Sequence, residues 1–160
     1  MSAYQRLRRL YPLKPHVKKG KDPLPLRQPQ YAGVPGWLLL THDSDGSCVA
    51  YFVDHRDTVH SVCLVLDERM FSDTILRVTQ LGPNVFLACD LRVFNGKTVF
   101  DTLSYAQRRA LLDELLSEFH SPDLGALLTY EEVPPLTSIR GWETYDDTPG
   151  TLGVFLPVEE

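Results

Sequence analysis

The chain has 160 residues, 43% hydrophobic and 23% charged, the composition of one globular domain large enough to bury a core. No apolar run approaches the length that crosses a bilayer, and none follows the early cations Arg6, Arg8 and Arg9, so no secretory leader is expected. A formal net charge of −5 argues against a protein that coats nucleic acid through many phosphate contacts.

Residues 1–29 hold Arg6, Arg8, Arg9, Lys14, Lys18, Lys19, Lys21 and Arg27 against the single acid Asp22. Pro12, Pro15, Pro23, Pro25 and Pro29 interrupt them, which predicts an extended basic arm with one short helical turn over 4–11. A basic arm beside an acidic body suits phosphates or an acidic protein partner; the plainer reading is a solvated tail. The domain proper is expected over 30–160.

From Gly36 the pattern changes. Trp37-Leu38-Leu39-Leu40-Thr41 predicts a buried strand with Trp37 in the core, Asp43-Ser44-Asp45-Gly46 a turn, and 48–53 the returning strand. A further strand is expected over 59–66, then a hairpin of 74–80 and 85–94. Asn95-Gly96 marks a two-residue turn, since both positions tolerate positive φ, and it leads into Thr98-Val99-Phe100. Ser104 and Gln107 form a capping box, and Leu112, Leu115, Leu116 and Phe119 then share one face of the main helix, which Pro122 ends. Residues 126–130 and 151–158 read as closing strands, with 134–149, which contains Trp142, as a loop. An antiparallel-rich sheet with one main helix predicts the α+β class.

Cys48, Cys63 and Cys89 form no C-x-x-C pair and read as buried, reduced thiols of an intracellular protein, cytosolic or nuclear. His16, His42, His55, His60 and His120 have no metal-ligand spacing, and there is no Gly-rich phosphate loop or G-x-S-x-G elbow, so neither metal nor cofactor is expected.

Two segments carry a resemblance. Leu39-Leu40-Thr41-His42-Asp43-Ser44-Asp45-Gly46 before an apolar strand resembles the nucleotidyltransferase signature, in which a strand ends in Lys-x-Asp-Gly. The run from Val85 through Cys89-Asp90-Leu91-Arg92-Val93-Phe94-Asn95-Gly96-Lys97 resembles a later strand of the same family, and Asp101-Thr102-Leu103 with Arg108, Arg109, Leu111 and Leu112 its continuation. Order and spacing match mRNA guanylyltransferases over about residues 36–120, which is more specific than any one motif. Taken singly, each piece is also an ordinary Asp-Gly or Asn-Gly hairpin turn.

The departures from that family bear on chemistry. Its nucleophile is a lysine amine, and Asp43 stands in that place, with Asp45 and Gly46 completing a degenerate motif. Arg77-Val78-Thr79 stands where the family has Asp-Gly-Glu, and no Lys-x-Lys follows Pro157 in this sequence. The resemblance therefore implies a fold of that type without the transfer reaction.

Val34 to Leu40, Asp73-Thr74-Ile75-Leu76, Pro135-Leu136 with Gly141-Trp142, and Leu152 to Pro157 are similar to snurportin, whose core of the same type binds the methylated cap of small nuclear RNAs. That resemblance implies non-catalytic binding of capped RNA or a guanine nucleotide. It places Trp142 on the base, Val34 as the opposing lid, and Lys97, Arg56 and Arg140 as candidate phosphate donors. An electron-rich indole suits the cationic ring of a guanine methylated at N7. The alternative is a catalytically dead scaffold subunit of a capping or transcription complex, with Trp142 serving to pin its loop.

Overall fold

The structure is a computed structural model that describes residues 2–64, 66–83, 85–119 and 127–158. Its first element is helix α1 (Ala3–Leu10), which the local sequence starts cleanly. Ser2 Oγ accepts from the Gln5 backbone N–H at 3.1 Å, and Gln5 Oε1 accepts from the Ser2 N–H at 3.0 Å. Arg8 and Arg9 in the last turn complement the helix dipole. The helix is docked. Leu7 is fully buried, Arg6 donates to Asp73 at 3.0 Å and to Thr41 Oγ1 at 2.8 Å, and Arg8 donates to Asp57 at 2.6 Å.

Two strands follow, β1 (Val17–Lys19) and β2 (Leu26–Tyr31). The segment expected as an extended arm therefore supplies a packed helix, one strand and most of another, and β2 runs across the expected boundary at residue 30. Pro29 is compatible with this because β2 is an edge strand, where a missing N–H need not interrupt a ladder.

The chain continues through β3 (Val34–His42), β4 (Cys48–Asp54), β5 (Val59–Val62), β6 (Thr74–Gly82) and β7 (Val85–Val93). Next come α2 (Val99–Thr102), α3 (Tyr105–Phe119), β8 (Leu127–Leu128), β9 (Ile139–Tyr145) and β10 (Gly153–Pro157). The result is an α+β fold of two mixed sheets, one of six strands in the order β5-β4-β3-β6-β7-β8 and one of four in the order β1-β10-β9-β2. Only β7 with β8 and β1 with β10 pair in parallel among these strands.

Alternation along β3 sends Leu38 and Leu40 into one core and Leu39 into another. The first core packs against α3 through Leu112, Leu115 and Leu116; the second collects Leu7, Val53, Ile75 and Val93 under α1. The capping box of α3 is present, with the Ser104 N–H donating to Gln107 Oε1 at 2.9 Å. The Phe119 side chain, His120, Pro122 and Ala126 lie outside the described positions. Asn95 and Gly96 take φ of 47° and 84°, the turn that their identities predict.

Three expectations are corrected. The strand expected over 59–66 ends at Val62. The loop expected over 134–149 contains β9, whose alternation is weak to the eye because buried Glu143 and Thr144 occupy strand positions. Cys48, at the start of β4, and Cys63, just after the edge strand β5, are exposed, and only Cys89 is buried.

Candidate ligand-binding site

The two sheets enclose a cleft of about 420 Å³, within the size range of small-molecule sites. The large sheet contributes Pro35, Gly36 and Trp37 from β3, Val53 and Asp54 from β4, and Arg77 from β6. The small sheet contributes Lys18 and Lys19 from β1, Gln30 from β2, Arg140 from β9 and Phe155 from β10. Gly36 is required where it stands: a Cβ there would lie 2.4 Å from the Val53 carbonyl oxygen and 2.6 Å from the Phe52 ring. Trp37, expected in the core, is half-buried and forms part of the cleft wall.

Charge in the cleft divides into engaged and unengaged groups. Arg8 is paired with Asp57, and Arg77 donates to Glu143 Oε2 at 2.8 Å and to the Tyr145 hydroxyl at 2.9 Å. Among the described residues no ion pair engages Lys18, Lys19 or Arg140, although the Arg140 guanidinium lies 5.8 Å from the Phe155 ring centre. Three cations beside two aromatic rings remain available to an anionic ligand.

The deep side of the cleft is a buried polar network that joins the sheets. Burial alone pushes the Glu143 carboxyl up, but the Arg77 guanidinium outweighs it and holds the group down at about 2. Gln28 and Gln30 donate to the same carboxylate at 2.9 and 2.7 Å. Beside it His16 is fully buried, stacked at 3.9 Å on Phe100, with Nδ1 3.0 Å from Asp90 Oδ2. Asp90 also accepts from Arg108 Nε at 2.9 Å, and despite burial these partners hold its carboxyl far below the usual range. With Asp90 ionised, the proton between the two groups sits on His16 Nδ1, which leaves Nε2 as an acceptor. Burial lowers the imidazole to about 4, so it is neutral near pH 7.

The residues that the resemblance singled out are dispersed. Arg140 lines the cleft. Trp142 is not among the described lining residues; alternation on β9 turns it to the side opposite Glu143, where the Arg27 guanidinium lies 4.6 Å from its ring centre. Val34 packs against the main core. Arg56 and Lys97 are exposed on turns and are absent from the described lining. Asp43, Asp45 and Gly46 build the β3–β4 turn: Asp43 accepts from the Ser44 N–H at 2.8 Å, Asp45 from the Ser47 N–H at 2.9 Å, and Gly46 takes φ 87°.

Sequence reasoning gave His16, Arg77, Asp90, Arg108 and Glu143 no place in the site. A usable signal existed for two of them, because Arg77 and Asp90 each interrupt an expected strand and a charge buried there needs a partner, whereas Glu143 lay in an expected loop. Among the described residues no group of three or more His, Cys, Asp or Glu is placed to hold a metal ion. None of their helices is long and apolar enough to cross a membrane. No protein-family model and no curated protein matches the chain.

Proposed function

We propose that the chain binds, without catalysing transfer, a guanine nucleotide of the kind that caps RNA, and that the ligand occupies the cleft between the sheets. The observation that carries this reading is the meeting of the Trp37 and Phe155 rings with Lys18, Lys19 and Arg140, cations that no ion pair engages among the described residues. A base stacks on an aromatic ring regardless of its sequence identity, and methylation at N7 adds a cation–π term. The phosphates then meet the cations at the rim.

The resemblance to nucleotidyltransferase and snurportin cores supports the same reading through its motifs, and Asp43 in place of the lysine supports binding without a covalent step. Trp37 replaces Trp142 as the preferred stacking face, because Trp37 lines the cleft beside the cations, whereas Trp142 is outside the described lining and carries the Arg27 guanidinium at 4.6 Å from its ring centre. That covered ring is the one observation favouring the scaffold alternative.

A thermal-shift series with GTP, 7-methyl-GTP and a trimethylated cap analogue tests the proposal. Ligand at 100 times Kd stabilises by about 2.7 kcal/mol, or roughly 5–10 °C for a domain of this size. No shift with any of the three removes the nucleotide reading and leaves the scaffold.

A further inference from the structure

Two buried side-chain atoms near the cleft floor, His16 Nε2 and Arg77 Nε, have no hydrogen-bond partner among the described residues, and both residues line the cavity. Their neighbours fix their roles. Asp90 accepts a hydrogen bond from the Nδ1–H of His16, and because the ring nitrogens lie on opposite flanks of the imidazole, Nε2 is turned away from Asp90 as a bare acceptor. Glu143 and Tyr145 occupy the terminal nitrogens of Arg77, leaving its Nε–H as a bare donor. Leaving a buried polar group unpaired costs about 1–3 kcal/mol, a deficit that a ligand with the matching atoms removes.

Building on the nucleotide reading above, we propose that His16 and Arg77 form a base-edge subsite. In it the guanine N1–H donates to His16 Nε2 and the neighbouring O6 accepts from Arg77 Nε, while Lys18, Lys19 and Arg140 take the phosphates. A phosphate does not suit the floor, since its oxygens would face the lone pair of His16 Nε2. The ligand therefore enters base first, with Trp37 beside the base; the Trp37 and His16 rings are already in edge contact, 5.2 Å between centres.

The experiment is isothermal titration of the wild-type protein with the tighter-binding of GTP and 7-methyl-GTP, with its 1-methyl derivative, which lacks the N1–H, and with inorganic tripolyphosphate. The derivative is expected to bind about 5- to 150-fold more weakly than its parent. His16→Asn, which keeps a donor for Asp90, and Arg77→Lys, which keeps a cation for Glu143, are expected to weaken the parent nucleotide by a similar factor and leave tripolyphosphate unchanged. If the parent nucleotide and its 1-methyl derivative bind wild type equally, the subsite is refuted and the nucleotide reading stands. That result needs no variant and is independent of whether the variants fold. If neither nucleotide nor tripolyphosphate binds wild type, both readings fall together.

Discussion

Replacing Glu143 by Gln keeps the side chain's size and removes its charge. Glu143 is fully buried on β9, and its two oxygens accept from Arg77, Gln28, Gln30 and Tyr145, the Tyr145 hydroxyl at 2.6 Å. Arg77 belongs to the large sheet and the other partners to the small one, so this carboxylate ties the sheets together. In Glu143→Gln one acceptor oxygen becomes a donor facing other donors, and the Arg77 guanidinium, on a side chain only 12% exposed, loses its counter-charge. Breaking a buried pair on one side costs about 3–5 kcal/mol. At about 2–4 °C per kcal/mol for a chain of this length, Tm should fall by roughly 6–20 °C. Circular dichroism melting at pH 7 reads this directly. The double variant Arg77→Met, Glu143→Leu, which removes both charges, should melt well above the sum of the two single losses. A Glu143→Gln protein melting within about 2 °C of wild type would refute the reasoning, because Arg77 would then be solvated and the sheets joined some other way.

Leu7→Ala should cost about 2–5 kcal/mol in urea unfolding, whereas a free arm would tolerate it without change. Native protein should likewise resist trypsin at Arg6 and Arg8, and rapid release of the first ten residues would contradict the docking of α1. His16 is lowered from the ordinary 6.5 to about 4 by burial, so the unfolded chain takes up the proton first as pH falls. Its share of stability, about 3 kcal/mol, is present above pH 6.5 and is lost between about 6.5 and 4. Urea midpoints across that window should fall in wild type and stay flatter in His16→Phe. Incubation with labelled GTP and Mg²⁺ should leave no label on the denatured chain, and Asp43→Lys alone should not create any, because Arg77-Val78-Thr79 still stands where the resembling family carries its acids.

Elements whose signal is local were legible in the sequence. The Asn95-Gly96 turn, the Ser104–Gln107 cap of α3 and the β3–β4 and β6–β7 hairpins follow from turn chemistry, capping and apolar runs a few residues long. The small sheet was not legible, because its edge strands β1 and β2 are short and lie in a basic segment interrupted by prolines, and they exist only by pairing with β10 and β9 at the other end of the chain. The same long-range closure hid the site. Lys18 and Lys19 meet Trp37 and Arg140 only once the sheets face each other, and Trp37 looked like core because its strand neighbours Leu38, Leu39 and Leu40 are all buried. Trp142 looked open because its cover, Arg27, lies on a strand distant in sequence.

The central claim is that a guanine nucleotide stacks on Trp37 in the cleft between the sheets. Fluorescence titration of the wild type, Trp37→Phe and Trp142→Phe with 7-methyl-GTP tests it most directly, since these are the chain's two tryptophans. Saturable static quenching is expected in the wild type and in Trp142→Phe, and its loss in Trp37→Phe. Quenching that disappears only in Trp142→Phe would move the ligand to the outer face of the small sheet, and no saturable quenching in any of the three, with GTP or 7-methyl-GTP, would contradict nucleotide binding itself.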